Sequence, residues 1–316
     1  MTHVFLTVDT EFAWRHHVAG LDADAIYARS IEPAGVGLSF QLALLKRHGL
    51  KACFFVDPMP ALIFGLDPVR RMVSTILDAG QEAQLHLHPN WTGACLGDRG
   101  AACARFEMID YDLDAQRDLI LGAAELLVAA GAPNPVAFRA GAYSANDDTL
   151  AALAQLGFVY DSSHNGAAAP WPSQVGLPAR TIAPVWRGVT EVPVTVIEDA
   201  PGNLRTFQLC ALSAAEARDA LEHAAINDHA AVTIVSHGFE LANRAGLRAN
   251  AVHVRRFERL CEMLDERRDQ LPTAHFRDRP DLILCRDDAP LGPNMLRTRW
   301  RQAEQLWSNM IEERVR

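Results

Sequence analysis

Five short apolar runs each end in a side chain that can bind a metal or move a proton, and this repetition constrains the fold more than any other feature. Residues 4–8 lead into Asp9-Thr10-Glu11, residues 82–87 carry His86 and lead into His88, residues 135–138 end in Arg139, residues 158–160 in Asp161, and residues 231–236 in His237. Runs this short and this uniformly apolar read as strands covered on both faces, which is the condition of a parallel sheet. Residues 51–56 form one more such run, stopped by Asp57-Pro58. Between the runs lie segments with apolar residues at helical spacing: 32–48 (closed by Gly49), 67–80 (Asp67 as cap, Pro68 at the first position), 114–131, 146–157 behind Asn146 or Asp147, 213–226 behind Ser213, and 250–268. Strand and helix alternate with short connections, so the chain is α/β with parallel topology, either a barrel or an open sheet. In both, reactive groups collect at the C-terminal ends of the strands.

Other stretches are less regular. Residues 12–30 read as a polar loop placing Trp14, His16 and His17 over a strand end, and residues 164–188 as a long functional loop rich in Ala, Pro, Trp and Gly. Residues 190–197 read as a strand that Pro193 confines to an edge or a bulge, and 273–276 as strand-like. From Met295 onward, Leu296, Trp300, Ala303, Trp307 and Ile311 share one helical face, expected to pack on the body or on a partner subunit rather than on a membrane. The expected organisation is a catalytic body over 1–290 and an amphipathic helix over 291–316.

A formal charge of −9 and the lack of a basic stripe interleaved with aromatics exclude a nucleic-acid polyanion as the main partner. No apolar run approaches the roughly 18 residues of a membrane span. Six scattered cysteines (Cys53, Cys95, Cys103, Cys210, Cys261 and Cys285) without a C-x-x-C are expected to be reduced thiols, and the first nine residues read as a strand rather than a signal peptide, so the expected compartment is the cytoplasm.

Asp9 and Glu11 lie at i and i+2, on one side of an extended backbone, and so do His86 and His88, with Pro89 stiffening the turn behind them. A lone strand-end acid most often caps a helix or pairs with an arginine, and a lone His is most often a satisfied polar residue. Two acids and two imidazoles brought together would instead make a divalent metal site with room for water. Arg139 could hold a carboxylate ionised and oriented, with Asp161 as its partner, although alone it could pair with any surface acid. The turn at Gly141 could offer backbone N–H groups to an oxyanion, and His237 stands at the tip of its strand.

The order of these motifs resembles the polysaccharide deacetylase family (NodB homology domain, carbohydrate esterase 4) in a divergent H-x-H form, over residues 3–285. The resemblance implies a distorted (β/α)7-type barrel and metal-dependent removal of an acyl group, usually acetyl. It implies Asp9 as general base, Glu11, His86 and His88 as metal ligands, Arg139 holding Asp9, the Tyr143 N–H at the oxyanion and His237 as the acid for the leaving amine. Trp14 and Trp91 are expected to face the substrate. Zn²⁺ is the first expectation for the metal, with Mn²⁺, Co²⁺ or Fe²⁺ as substitutes, and the substrate would be an N-acylated sugar or glycoconjugate precursor. The sequence departs from the family pattern in four places: Thr10 separates the acids, the His motif is H-x-H instead of H-x-x-x-H, Ser236 replaces Leu, and Ala142 replaces Pro. Two other readings fit the same residues: hydrolysis of a non-sugar C–N bond such as a cyclic amide or ureide, and an inactive barrel binding carbohydrate through Trp14, Trp91, Trp171 and Trp186.

Overall fold

A computed structural model describes residues 1–95 and 105–313; Cys103 lies outside them. The strands are β1 (His3–Thr10), β2 (Cys53–Val56), β3 (Glu82–Leu87), β4 (Ala137–Ala140), β5 (Tyr160–Asp161), β6 (Val185–Trp186), β7 (Thr190–Glu191), β8 (Val196–Ala200), β9 (Asn203–Thr206) and β10 (Ala231–His237). Eight of them form one curled sheet in the order β10-β1-β2-β3-β4-β5-β7-β6, and β8 pairs with β9 separately. Every pairing in the large sheet is parallel except the β6–β7 hairpin. That makes seven parallel strands, the count of the expected distorted barrel. The helices are α1 (Trp14–Val18), α2 (Ala23–Ser30), α3 (Leu38–His48), α4 (Ala61–Phe64), α5 (Asp67–Asp78), α6 (Leu113–Ala129), α7 (Asp147–Gln155), α8 (Ala214–Ile226), α9 (Ala251–Glu266) and α10 (Met295–Trp307). Among the described residues no helix is long and apolar enough to cross a membrane.

The two-residue period of the strands separates two cores. Val4, Leu6 and Val8 of β1, Phe54 and Val56 of β2, Leu85 and Leu87 of β3 and Phe138 of β4 face the helices. Phe5, Cys53, Phe55 and Ala137 face the lumen, where Phe276 fills the base. The Phe276 ring stacks on Phe5 at 4.3 Å and meets Phe55 at 5.8 Å and Tyr160 at 5.3 Å. The outer helices are fixed by the caps their sequences carry. Asp22, Asp112, Asn146, Ser213 and Asn250 each accept a first-turn backbone N–H through the side chain.

Three expectations are corrected. Residues 12–30 are not an irregular loop but hold α1 and α2, with His16 and His17 buried. A five-residue helix is too short to display a period, which is why the sequence conceals it. The stretch 190–197 is not one strand: β7 ends at Glu191, and beyond Pro193 the chain leaves β5 for β10, where the Thr195 N–H donates to the Thr233 carbonyl (3.1 Å) and the barrel closes. Residues 273–276 form a single bridge, Thr273 with Val4, rather than a strand. The C-terminal helix α10 docks on the body through charge. Arg301, 1% exposed, bonds Asp199 (2.7 Å) and Glu216 (3.0 Å), while Leu296, Trp300 and Trp307 of the apolar stripe stay exposed at 79%, 62% and 59%. Two acids already held under the helix outbid the apolar face.

Replacing Phe276 with Ala removes the packed base of the lumen and should destabilise the protein by about 3–5 kcal/mol. Urea denaturation of wild type and Phe276→Ala measures this, and an unchanged midpoint would show that the ring carries no core packing.

Candidate active site

The lumen-facing positions turn from apolar to polar toward the C-terminal ends of the strands, and there the motif residues converge. Asp9 on β1 is in register with His237 on β10 and with Phe55 on β2, and His86 on β3 with Arg139 on β4. Arg139 is fully buried and reaches across the lumen over the Phe55 ring, 4.4 Å from its centroid. Its Nη1 donates to Asp9 Oδ1 (2.7 Å) and Thr7 Oγ1 (2.7 Å), its Nε to the Ser162 carbonyl (3.1 Å) and its Nη2 to Ser162 Oγ (3.0 Å). Burial alone would raise the Asp9 carboxyl, but the charges of Arg139, His86 and His237 outweigh it and hold the group below its ordinary range.

Glu11, one turn of the pleat further on, belongs to a different cluster. Its Oε2 lies 3.2 Å from His86 Nε2 and 2.6 Å from His88 Nε2. One donor atom from each of the three residues lies within 4.8 Å of the other two. The His86 Nδ1–H donates to the Arg139 carbonyl (2.8 Å), which fixes the tautomer and turns the Nε2 lone pair toward Glu11. The His88 ring lies against Gly141, where an added Cβ would come within 2.3 Å of Nδ1, so only glycine leaves that ring its place. Burial opposes charge on Glu11, yet the two imidazoles hold its carboxyl well below the ordinary value.

On the other flank, His237 Nε2 is 3.8 Å from Asp9 Oδ2. Its Nδ1–H donates to Glu240 Oε1 (2.8 Å), and the Gln208 amide donates to the same carboxylate. Burial would discharge this ring, but the hydrogen bond and charge of Glu240, with the charges of Asp9 and Glu11, raise its pKa to about 9. Glu240 follows His237 by three residues in a turn, and sequence reading passed over it because the segment shows no period. Asp57, the residue after β2, is a second such group, which the sequence marks only as a strand stop. It is fully buried, one oxygen accepts the Met59 N–H (3.0 Å), and the other has no partner among the described residues. Burial pushes it up to about 6 against the pull of His88 and His86.

Three expected site residues stand elsewhere than foreseen. Asp161 does not bond Arg139; it accepts from Ser163 Oγ (2.6 Å), which in turn accepts the Ala140 N–H (2.9 Å), so it braces the end of β4. Ser162 takes the arginine because the side chains of successive residues point opposite ways. Trp91 is 1% exposed and cannot face a substrate: the short turn Pro89–Trp91 folds its ring onto Trp14 (4.9 Å) and His17 (5.3 Å). Trp14 is half-buried in that same aromatic group. Tyr143 sits in a turn where Ala142 and Tyr143 take φ of 53° and 60°, and its hydroxyl is buried without a partner among the described residues. Left-handed backbone at two successive non-glycine residues costs about 1–3 kcal/mol each, strain of the kind that collects at functional sites.

Neither the protein-family models nor the curated proteins compared with the sequence give a match. Among solved structures, a Mycobacterium smegmatis protein assigned as a polysaccharide deacetylase aligns at a TM-score of 0.51 and 19% identity, over 91% of this chain and 94% of that one. The fold is that of the polysaccharide deacetylases. A family 4 carbohydrate esterase from Streptomyces lividans in complex with acetate aligns at a TM-score of 0.42 and 15% identity, over 93% of this chain and 98% of that one. A family 4 pseudoenzyme from Bacillus anthracis aligns at 0.41 and 13%, over 94% of this chain and 65% of that one. A likeness in fold leaves the chemistry of this barrel to its own side chains.

Glu240→Gln should return the His237 pKa from about 9 toward the ordinary 6.5, read from the imidazole resonances by NMR. Because the folded value is raised, the stability that Glu240 supplies through His237 is complete below about pH 6.5 and fades as pH rises through about 9. A His237 titration unmoved by the substitution would show that Glu240 does not hold the proton.

Proposed function

We propose that the protein is a metal-dependent hydrolase that removes an N-acyl group, acetyl in the first instance, from a sugar or glycoconjugate precursor. The observation that carries this reading is the division of labour between two carboxylates two residues apart: Glu11 faces two imidazoles, while Asp9 lies between a buried guanidinium and His237. An inactive carbohydrate-binding barrel has no use for that division, and burial of Trp91 removes one of the rings it would need.

The donor set fits a divalent cation. One carboxylate and two imidazoles converge, and the His86 tautomer is fixed by a carbonyl behind it. Glu11, His86 and His88 would hold the ion, Zn²⁺ first and Mn²⁺, Co²⁺ or Fe²⁺ as substitutes. When bound, such an ion acidifies water and polarises a carbonyl oxygen. Asp9, kept ionised by Arg139, takes the proton from the attacking water. The Tyr143 turn offers a backbone N–H to the developing oxyanion. His237, kept protonated by Glu240, delivers its proton to the nitrogen as the C–N bond breaks, so a water and an amide become a carboxylic acid and an amine. Asp161 contributes at one remove, by bracing β4 under Arg139. The cysteines of the described residues are all free, which supports a reducing compartment such as the cytoplasm.

Turnover of N-acetylated amino sugars by the Zn²⁺-loaded protein tests the proposal. Asp9→Asn should keep the metal and lose about 10²–10⁴-fold in kcat. His86→Ala and Glu11→Gln should lose metal and turnover together, with metal content read by elemental analysis. Undiminished turnover in Asp9→Asn would sink the assignment.

A further inference from the structure

Beside the mouth of the site, α1, α2, the loop after His237 and the C-terminal segment enclose an open cavity of about 550 Å³, lined by Arg15, His16, Arg29, Arg244, Asn309 and Glu313. Three guanidiniums meet there, in a chain whose formal charge is −9. Elsewhere the arginines of this region have acids: Arg256 has Glu304, Arg297 has Asp219 and Arg301 has Asp199. Arg15, Arg29 and Arg244 form no ion pair among the described residues. Arg15 Nε donates only to the Arg244 carbonyl (2.8 Å). The one lining carboxylate, Glu313, is turned to the Arg244 backbone N–H (2.7 Å) and the Asn250 amide (3.4 Å). His16, 5% exposed, has its Nε2 buried with no partner among the described residues.

Like charges gathered around a cavity are unfavourable until an anion lies between them. Burial and the charge of Arg244 both push the Arg15 guanidinium down from its ordinary value. The cavity is also joined to the reaction centre. Arg15 follows Glu11 by four residues, its guanidinium lies 4.9 Å from the Phe239 ring centroid, and the Phe239 ring lies 5.2 Å from that of His237. One aromatic layer separates the arginines from the proton donor.

We propose that this cavity binds a phosphate or diphosphate group of the substrate, so that the acylated sugar arrives as a phosphorylated conjugate rather than as a neutral glycan. The proposal rests on the deacylase reading. Three forked guanidiniums match the several oxygens and double charge of a phosphoryl group better than the two oxygens of a carboxylate.

Calorimetric titration of the metal-loaded full chain with inorganic pyrophosphate tests it. Arg29→Gln and Arg244→Gln should each weaken binding about ten- to hundredfold, and the double variant should abolish it. Arg47→Gln, on the exposed last turn of α3, should change nothing. Absent binding, or binding that survives in the double variant, overturns the proposal; survival is also what capture at the metal would give. Competition then separates the sources: a sugar 1-phosphate, a nucleoside-diphosphate sugar, or vesicles carrying a polyprenyl-diphosphate sugar should displace pyrophosphate, and equal displacement by a neutral N-acetylated sugar would overturn it. Binding is read without turnover. Deacylation without an arginine-dependent pyrophosphate site would therefore remove this proposal alone, and such a site without deacylation would remove the hydrolase reading alone.

Discussion

The ion pair of Arg139 with Asp9 is the constraint from which the rest of the site takes its shape. A guanidinium with no exposure, removed from water at the centre of a barrel, is tolerated only when its donors are satisfied and its charge is met. Here that takes a carboxylate, a threonine hydroxyl, a serine hydroxyl, a backbone carbonyl and the face of a phenylalanine, drawn from β1, β2 and the segment after β5. Each partner fixes the register of its strand. The Arg139 carbonyl then sets the tautomer of His86, so one residue orients both carboxylate compartments.

Those compartments differ although only Thr10 separates the two acids. Asp9 is held among positive charges that are part of the protein, while Glu11 meets only imidazoles, which exchange a proton for a cation. The third group, His237 with Glu240, carries its own counter-charge in the same turn and is bound to Asp9 only loosely, at 3.8 Å. His86 with its neighbour His88, Asp9, and His237 thus sit in a row across β3, β1 and β10, with the Phe55 ring on β2 as a spacer.

Much of this was legible in the sequence because it follows from the two-residue period of a strand. Asp9 with Glu11, His86 with His88, and Arg139 at a strand end needed only the inference that apolar runs were parallel strands. What stayed hidden is tertiary. Glu240 and Asp57 lie just past strand ends, where backbone geometry follows from turns and not from a period. Ser162 replaced Asp161 beside the arginine because a one-residue shift reverses the face, and the sequence offers both residues side by side. Trp91 looked available only because the turn that folds it inward carries no pattern of its own. On α10, Asp199 and Glu216, far away in sequence, decide which side meets the body.

Phe276 has a consequence beyond stability. By sealing the lower end of the lumen against Phe5 and Tyr160, it makes the barrel a well with one opening. Whatever enters must leave past the same rim. On the proposed hydrolysis, the acid and the amine would therefore share one exit.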